Sequence, residues 1–147
     1  MAALTAAYDT HAKDGELIAY GLAANTTIFK GALVEVVAGF IQPAGDTAGA
    51  AFVGIAHETV RNIASVILPG GAGPAGAAGA LKLRVHKVGS LLYSKAAAVP
   101  GDIGQLAHIV DDNTVATAAT TNNIPCGYVV EVPDASHVRV RIDRSVQ

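Results

Sequence analysis

The sequence predicts an all-β fold, a small β-sandwich or barrel of β-tulip-like or jelly-roll-like form with an extended N-terminal arm. Val and Ile together number 27 against 10 Leu, a bias that suits pleated sheet surfaces better than helix faces. Short apolar or alternating runs recur along the chain, each bounded by Gly, Pro, Asn or Asp, as is typical of strands joined by turns. About nine or ten such runs can be counted, which indicates a sandwich or a small barrel.

The length of 147 residues predicts one domain, here assigned to residues 16–147 after an arm of residues 1–15. A chain of this size buries about 68–70% of its unfolded surface, enough for a core without disulfides or metals. The apolar fraction of 51% overstates that core, because 29 of the 75 apolar residues are Ala. Aromatic residues make up 5%, so we expect the core to be aliphatic.

Residues 1–15, MAALTAAYDTHAKDG, are small and polar with weak periodicity. The pattern predicts an arm that adds little to the core and ends at the turn signal Asp14-Gly15. Residues 16–20 form a short strand candidate that stops at Gly21. Because an extended arm can add a strand to the exposed sheet edge of a partner, we expect the arm to serve assembly.

Residues 26–58 organise the rest of the chain. A strand signal at Ile28-Phe29 is followed by a turn at Lys30-Gly31 and by the β-branched run of residues 33–37. A loop rich in Gly and Pro, residues 43–49, leads to a second apolar run at 51–56. The order is strand, turn, strand, loop, strand, with no room for a long helix.

Residues 63–68 are another strand candidate and precede a low-complexity segment, residues 69–80, with Gly at every third position. Two interpretations stay open for this segment. It is a poorly packed surface loop, the interpretation that its few triplets favour, or it is a short three-chain contact of collagen type in a trimer.

Residues 81–88 and 137–143 alternate strictly between apolar and polar side chains. We expect their apolar residues to share one core: Leu81, Leu83, Val85, Val138, Val140 and Ile142. If the two strands are neighbours in one sheet, their outward side chains form a basic patch: Lys82, Arg84, His86, Arg139 and Arg141. That patch is either an ordinary solvated face or a docking face for an acidic partner.

The remaining pattern predicts strands over residues 91–93 and 105–110, with turns at 99–102 and 111–113. Residues 114–121 are small and polar and are expected to pair weakly. Residues 126–132 and 137–143, joined by a turn at 133–136, predict a hairpin.

No motif for catalysis or for binding a metal or cofactor appears, so the sequence predicts a protein that is not an enzyme. The five His residues have no metal-ligand spacing, and Cys126 has no partner for a disulfide. A net charge of −2 argues against nucleic acid as a partner. Without an apolar run of about 18 residues or a signal peptide pattern, we expect no membrane partner and synthesis in the cytoplasm.

In residues 28–34, IFKGALV, and 50–56, AAFVGIA, the chain resembles capsid cement proteins, the head decoration proteins of tailed bacteriophages. Residues 99–102, VPGD, and the stretches 127–131 and 138–142 fit the same pattern. The resemblance follows the order of elements from residue 16 to 143 and rests on turn and strand patterns.

The resemblance implies a structural protein on the outer capsid surface of a virion, made in the bacterial host cytoplasm. Such a protein bridges neighbouring subunits of the major capsid protein, as a homo-oligomer for which a trimer is favoured over a dimer. No catalytic residue is carried over. The capsid or partner contacts expected here are Ala2, Ala3, Leu4, Thr5, Tyr8, Lys82, Arg84, Arg139 and Arg141. Alternatives are another virion part, such as a tail or head-joining protein, and a small β-rich module that binds a sugar or peptide ligand.

Overall fold

The computed structural model describes residues 16–68 and 75–142. The predictions for the arm, for residues 69–74 and for Asp143 lie outside the described residues. The all-β prediction is confirmed, with 51% of the described residues in strands and 2% in helix. Twelve strands are described: β1 Leu17–Gly21, β2 Thr26–Ile28, β3 Leu33–Val37, β4 Phe40–Pro43, β5 Ala51–Ala56, β6 Val60–Asn62, β7 Lys82–His86, β8 Gly89–Ser94, β9 Leu106–Ile109, β10 Val115–Ala116, β11 Pro125–Asp134 and β12 His137–Ile142. A 3-10 turn, Pro100–Asp102, lies where the sequence predicts a turn.

The strands form three antiparallel sheets. The first sheet has the order β1-β7-β5-β3-β4 and the second has the order β10-β9-β11-β12-β8, while β2 and β6 form a two-stranded ribbon. The β11–β12 hairpin occurs as the sequence predicts. In the second sheet, an isolated parallel bridge joins Ser94 at the end of β8 to Thr114 before β10. The two edges of the second sheet therefore approach each other, and the sheet curls towards a five-stranded barrel.

Two hydrophobic clusters lie on opposite faces of the first sheet. One joins Leu33, Phe52 and Ile55 to the inner face of the second sheet. The other joins the opposite face of the first sheet to the ribbon, through residues such as Val34 and Ile28. This arrangement explains why β5 is apolar almost throughout, because it is covered on both faces.

The prediction of one shared core for residues 81–88 and 137–143 is wrong. Alternation is confirmed in both strands, but Leu83 and Val85 belong to the cluster under the ribbon. Residues Val138, Val140 and Ile142 belong to the cluster between the two large sheets. Alternation fixes which residues of a strand share a face, but it carries no information about which sheet the strand joins.

A bulge at Gly54 allows β5 to serve both clusters. In the pairing of β5 with β3, Gly54 lies opposite Val34 and Phe52 lies opposite Glu35. The residue of β5 between them therefore has no partner in β3. The extra residue turns Phe52 and Ile55, three positions apart, to the same core. Gly54 has φ of +138°, and a Cβ there would collide with the carbonyl oxygen of His86. Only glycine fits this position without distortion.

Three local predictions need correction. Residues 63–66 form a bend and turn where a strand is predicted, and the strand is β6 just before them. The strand β4 goes unpredicted because Gly39 and Pro43 bracket it like a loop. The third correction concerns residues 75–80, the described half of the glycine-rich segment.

Residues 75–80 are held to the domain by hydrogen bonds, and Ala75 and Gly76 are buried, so the prediction of a poorly packed loop is wrong for this part. The buried Asn62 side chain donates to the carbonyl oxygens of Ala23 and Ala77 at 2.9 and 2.8 Å, and accepts from the Gly76 N–H at 2.9 Å. The positive φ of Gly76, +107°, also differs from the φ of about −75° in a collagen strand. This half of the segment is bound into the ribbon end of the domain.

Candidate functional site

The predicted contact residues of the arm, Ala2, Ala3, Leu4, Thr5 and Tyr8, lie outside the described residues. The four predicted basic residues do not form one patch. Lys82 and Arg84 lie on β7 in the first sheet, and Arg139 and Arg141 lie on β12 in the second. The condition for a single basic face, adjacent strands in one sheet, is therefore not met.

Two of these cations are also neutralised by neighbouring carboxylates. The Arg84 guanidinium holds Glu58 through two hydrogen bonds of 2.8 and 3.1 Å, and hydrogen bonding to Arg84 lowers the pKa of Glu58. Arg139 donates to Glu131 at 2.6 Å across the β11–β12 hairpin. Exposed pairs of this kind contribute little to stability, but they reduce the positive potential available to a partner.

A cleft beside the edge strand β8 is a candidate docking surface. It encloses about 320 Å³ and is lined by side chains that include Phe29, Leu92, Lys30 and Asp112. Phe29 is 56% exposed and Leu92 47% exposed, although large apolar side chains are usually covered. Sequence reasoning placed Phe29 in a strand and assigned neither residue a contact.

Among residues 16–68 and 75–142, no strand pairs with the backbone of β8 along this cleft. β8 is the last strand in the order of its sheet and pairs along its length with β12. Its other edge is joined at its end, where Ser94 forms the isolated bridge to Thr114. At its end, the Ser94 N–H turns away from β12 and donates to the Asn113 carbonyl oxygen at 3.0 Å. Because backbone groups alternate sides along a strand, those of Ser90 and Leu92 also point away from β12, and Leu92 lines the cleft. An open edge with apolar side chains beside it is a template for another strand.

The cleft carries charge at its rim. Lys30 is exposed, and its backbone N–H donates to the Thr59 hydroxyl at 3.0 Å. Burial, together with the neighbouring Asp111, raises the pKa of Asp112. A segment that enters the cleft therefore contacts apolar side chains, with the Lys30 ammonium and the Asp112 carboxyl group at the rim.

A histidine pair lies elsewhere, at the end of β5 and β7. The Nδ1 atom of His57 and the Nε2 atom of His86 are 2.8 Å apart, and the rings meet edge to face with centroids 4.8 Å apart. Sequence reasoning missed this pair, because 29 positions separate the two residues. The pairing of β5 with β7 brings them together, and the sequence carries no sign of that pairing.

The buried Lys95–Asp102 pair and the buried Cys126 thiol serve the fold. Lys95 and Asp102 form a buried ion pair at 3.0 Å, and the Val99 N–H, followed by Lys95 and Thr117, lowers the pKa of Asp102. Burial raises the pKa of the Cys126 thiol to about 12, so this thiol is no nucleophile at neutral pH. Within residues 16–68 and 75–142, no three His, Cys, Asp or Glu side chains gather as a metal cluster.

Within residues 16–68 and 75–142, no helix is long and apolar enough to cross a membrane. No family model matches the chain, and no curated protein or solved structure matches it either. The geometry of the cleft and of the histidine pair therefore carries the functional argument.

Proposed function

We propose that the protein decorates the capsid of a tailed bacteriophage and stabilises it by bridging neighbouring major capsid protein subunits. The observation that carries the proposal is the open edge of β8 beside the cleft of Phe29 and Leu92. The resemblance of residues 28–34 and 50–56 to capsid cement proteins is the reason for expecting a major capsid protein as the partner.

Strand addition explains how such a surface binds. An extended segment of a capsid subunit pairs its backbone with Ser90 and Leu92, and its side chains alternate between the cleft and solvent. Burying the exposed apolar surface of Phe29 and Leu92 adds to the backbone hydrogen bonds. Because a capsid presents many equivalent sites, an oligomer binds much more tightly than one modest contact allows.

Co-sedimentation with purified empty phage capsids tests the proposal. The full-length protein should pellet with capsids and saturate at a fixed ratio to the major capsid protein. Leu92→Lys should weaken binding at least tenfold, about 1.4 kcal/mol, because a lysine on an edge strand opposes strand addition. Ile103→Lys is the matched control, since Ile103 is 53% exposed and outside the cleft.

A protein that leaves every tested capsid in the supernatant contradicts the proposal. Equal weakening by Leu92→Lys and Ile103→Lys would show that charge in general, and not the β8 edge, governs binding. The homo-oligomer expected with this function, a trimer before a dimer, is measured on the same samples by sedimentation velocity.

A further inference from the structure

The structure assigns to His57 and His86 a binding site for a divalent transition-metal ion that prefers tetragonal coordination, such as Cu²⁺. The proposal stands apart from capsid binding, because the pair lies at the end of β5 and β7 and contributes no lining residue to the β8 cleft. Neutral imidazole nitrogens are common ligands of such ions.

The spacing of the nitrogens, which is also the length of the hydrogen bond between the two rings, matches adjacent positions of a square-planar ion. A metal–nitrogen bond is about 2.0–2.1 Å long. Two such bonds at the 90° angle of adjacent square-planar positions place their nitrogens about 2.8–3.0 Å apart, whereas a tetrahedral angle places them about 3.3–3.4 Å apart. The observed separation of Nδ1 and Nε2 is 2.8 Å. Cu²⁺ and Ni²⁺ prefer the first geometry, and Cu²⁺ binds most tightly in the divalent series.

The backbone holds both rings in place. The His57 N–H donates to the Arg84 carbonyl oxygen at 3.0 Å, and His86 pairs with Ile55 in β5 and with Leu17 in β1. Both imidazoles are half-buried, so an ion between them keeps access to water for its remaining ligands. Without metal, one ring donates a hydrogen bond to the other. With metal, each ring carries its proton on its other nitrogen.

The charged neighbours are already paired. Glu58, next to His57, is held by Arg84 through both carboxylate oxygens. The Lys87 ammonium donates to the Val53 carbonyl oxygen at 2.6 Å and lies 5.5 Å from the Tyr20 ring centroid. Within the described part of the chain, His57 and His86 therefore supply two nitrogen ligands, and water or an added ligand completes the coordination of the ion.

Titration of the full-length, untagged protein with Cu²⁺ in a non-coordinating buffer tests the site. We expect one ion per chain, an electron paramagnetic resonance spectrum with nitrogen coupling, and weaker binding of Zn²⁺. His57→Gln and His86→Gln, which keep a polar side chain, should each weaken Cu²⁺ binding at least tenfold. His11→Gln and His137→Gln are matched controls that should bind as the parent does.

Thermal unfolding distinguishes loss of the site from loss of the fold in a variant that is less stable. Circular dichroism first establishes that each variant is folded, and Cu²⁺ should then raise the melting temperature of the parent but not of His57→Gln. Absence of Cu²⁺ binding by the parent overturns the proposal. Binding that survives His57→Gln and His86→Gln, or that His11→Gln abolishes, places the ion elsewhere and overturns it equally.

Discussion

Replacing Asn62 by Ala should destabilise the domain strongly. The Asn62 side chain is fully buried and makes three hydrogen bonds of 2.8–2.9 Å, to Ala23, Ala77 and Gly76. The two bonds that Asn62 donates contribute about 1 kcal/mol each, and leaving the buried Gly76 N–H unpaired costs about 1–3 kcal/mol. We expect the free energy of unfolding to fall by about 3–5 kcal/mol. In a domain of this size, a loss of about 3 kcal/mol corresponds to a fall in the melting temperature of about 6–12 °C.

Urea unfolding followed by circular dichroism measures this change, with Asn113→Ala as the control. Asn113 is exposed, and its described hydrogen bonds are made by its backbone. Asn113→Ala should therefore change the free energy of unfolding by no more than about 0.5 kcal/mol. Replacing residues 70–79 by a short Gly-Ser turn removes Gly76 and Ala77 and should destabilise the domain to a similar extent. A loss below about 1 kcal/mol in Asn62→Ala would refute the view that residues 75–80 are fixed to the ribbon by this side chain.

Three further predictions concern the core, the bulge and the arm. Asp102→Asn should lower the free energy of unfolding at pH 7 by about 3 kcal/mol by leaving Lys95 buried without its partner, and Lys95→Met should restore part of the loss. Because folding lowers the pKa of Asp102, its contribution is present above its ordinary value of 3.8 and is lost as the pH falls through the folded-state value, so parent and variant should converge in acid unfolding curves. Gly54→Ala should cost at least about 2 kcal/mol in a denaturant titration, because the new Cβ meets the His86 carbonyl oxygen at a positive φ; an unchanged midpoint would contradict the bulge geometry. Removing residues 1–14 should leave the circular dichroism spectrum and melting temperature unchanged and weaken capsid co-sedimentation at least tenfold, and an unfolded or fully active truncation would contradict a role for the arm in assembly.

The sequence by itself determined the class of the fold and much of its local order. β-branched residues in short runs, separated by turn residues, are enough to predict strands, because side chains alternate between the faces of a sheet. The runs at β3, β5, β7 and β12 therefore stand close to where the pattern places them. The β11–β12 hairpin is equally local, since a short turn fixes its pairing.

Only the tertiary structure decided which strands become neighbours. Val85 and Val140 look alike in sequence but lie in different clusters, because sheet membership depends on contacts between residues far apart in the chain. The same long-range pairing brings His57 to His86 and separates Arg84 from Arg139 by placing them in different sheets. It also opens the β8 edge beside Phe29. An edge exists only where a sheet ends, and the sequence holds no local signal for where that is.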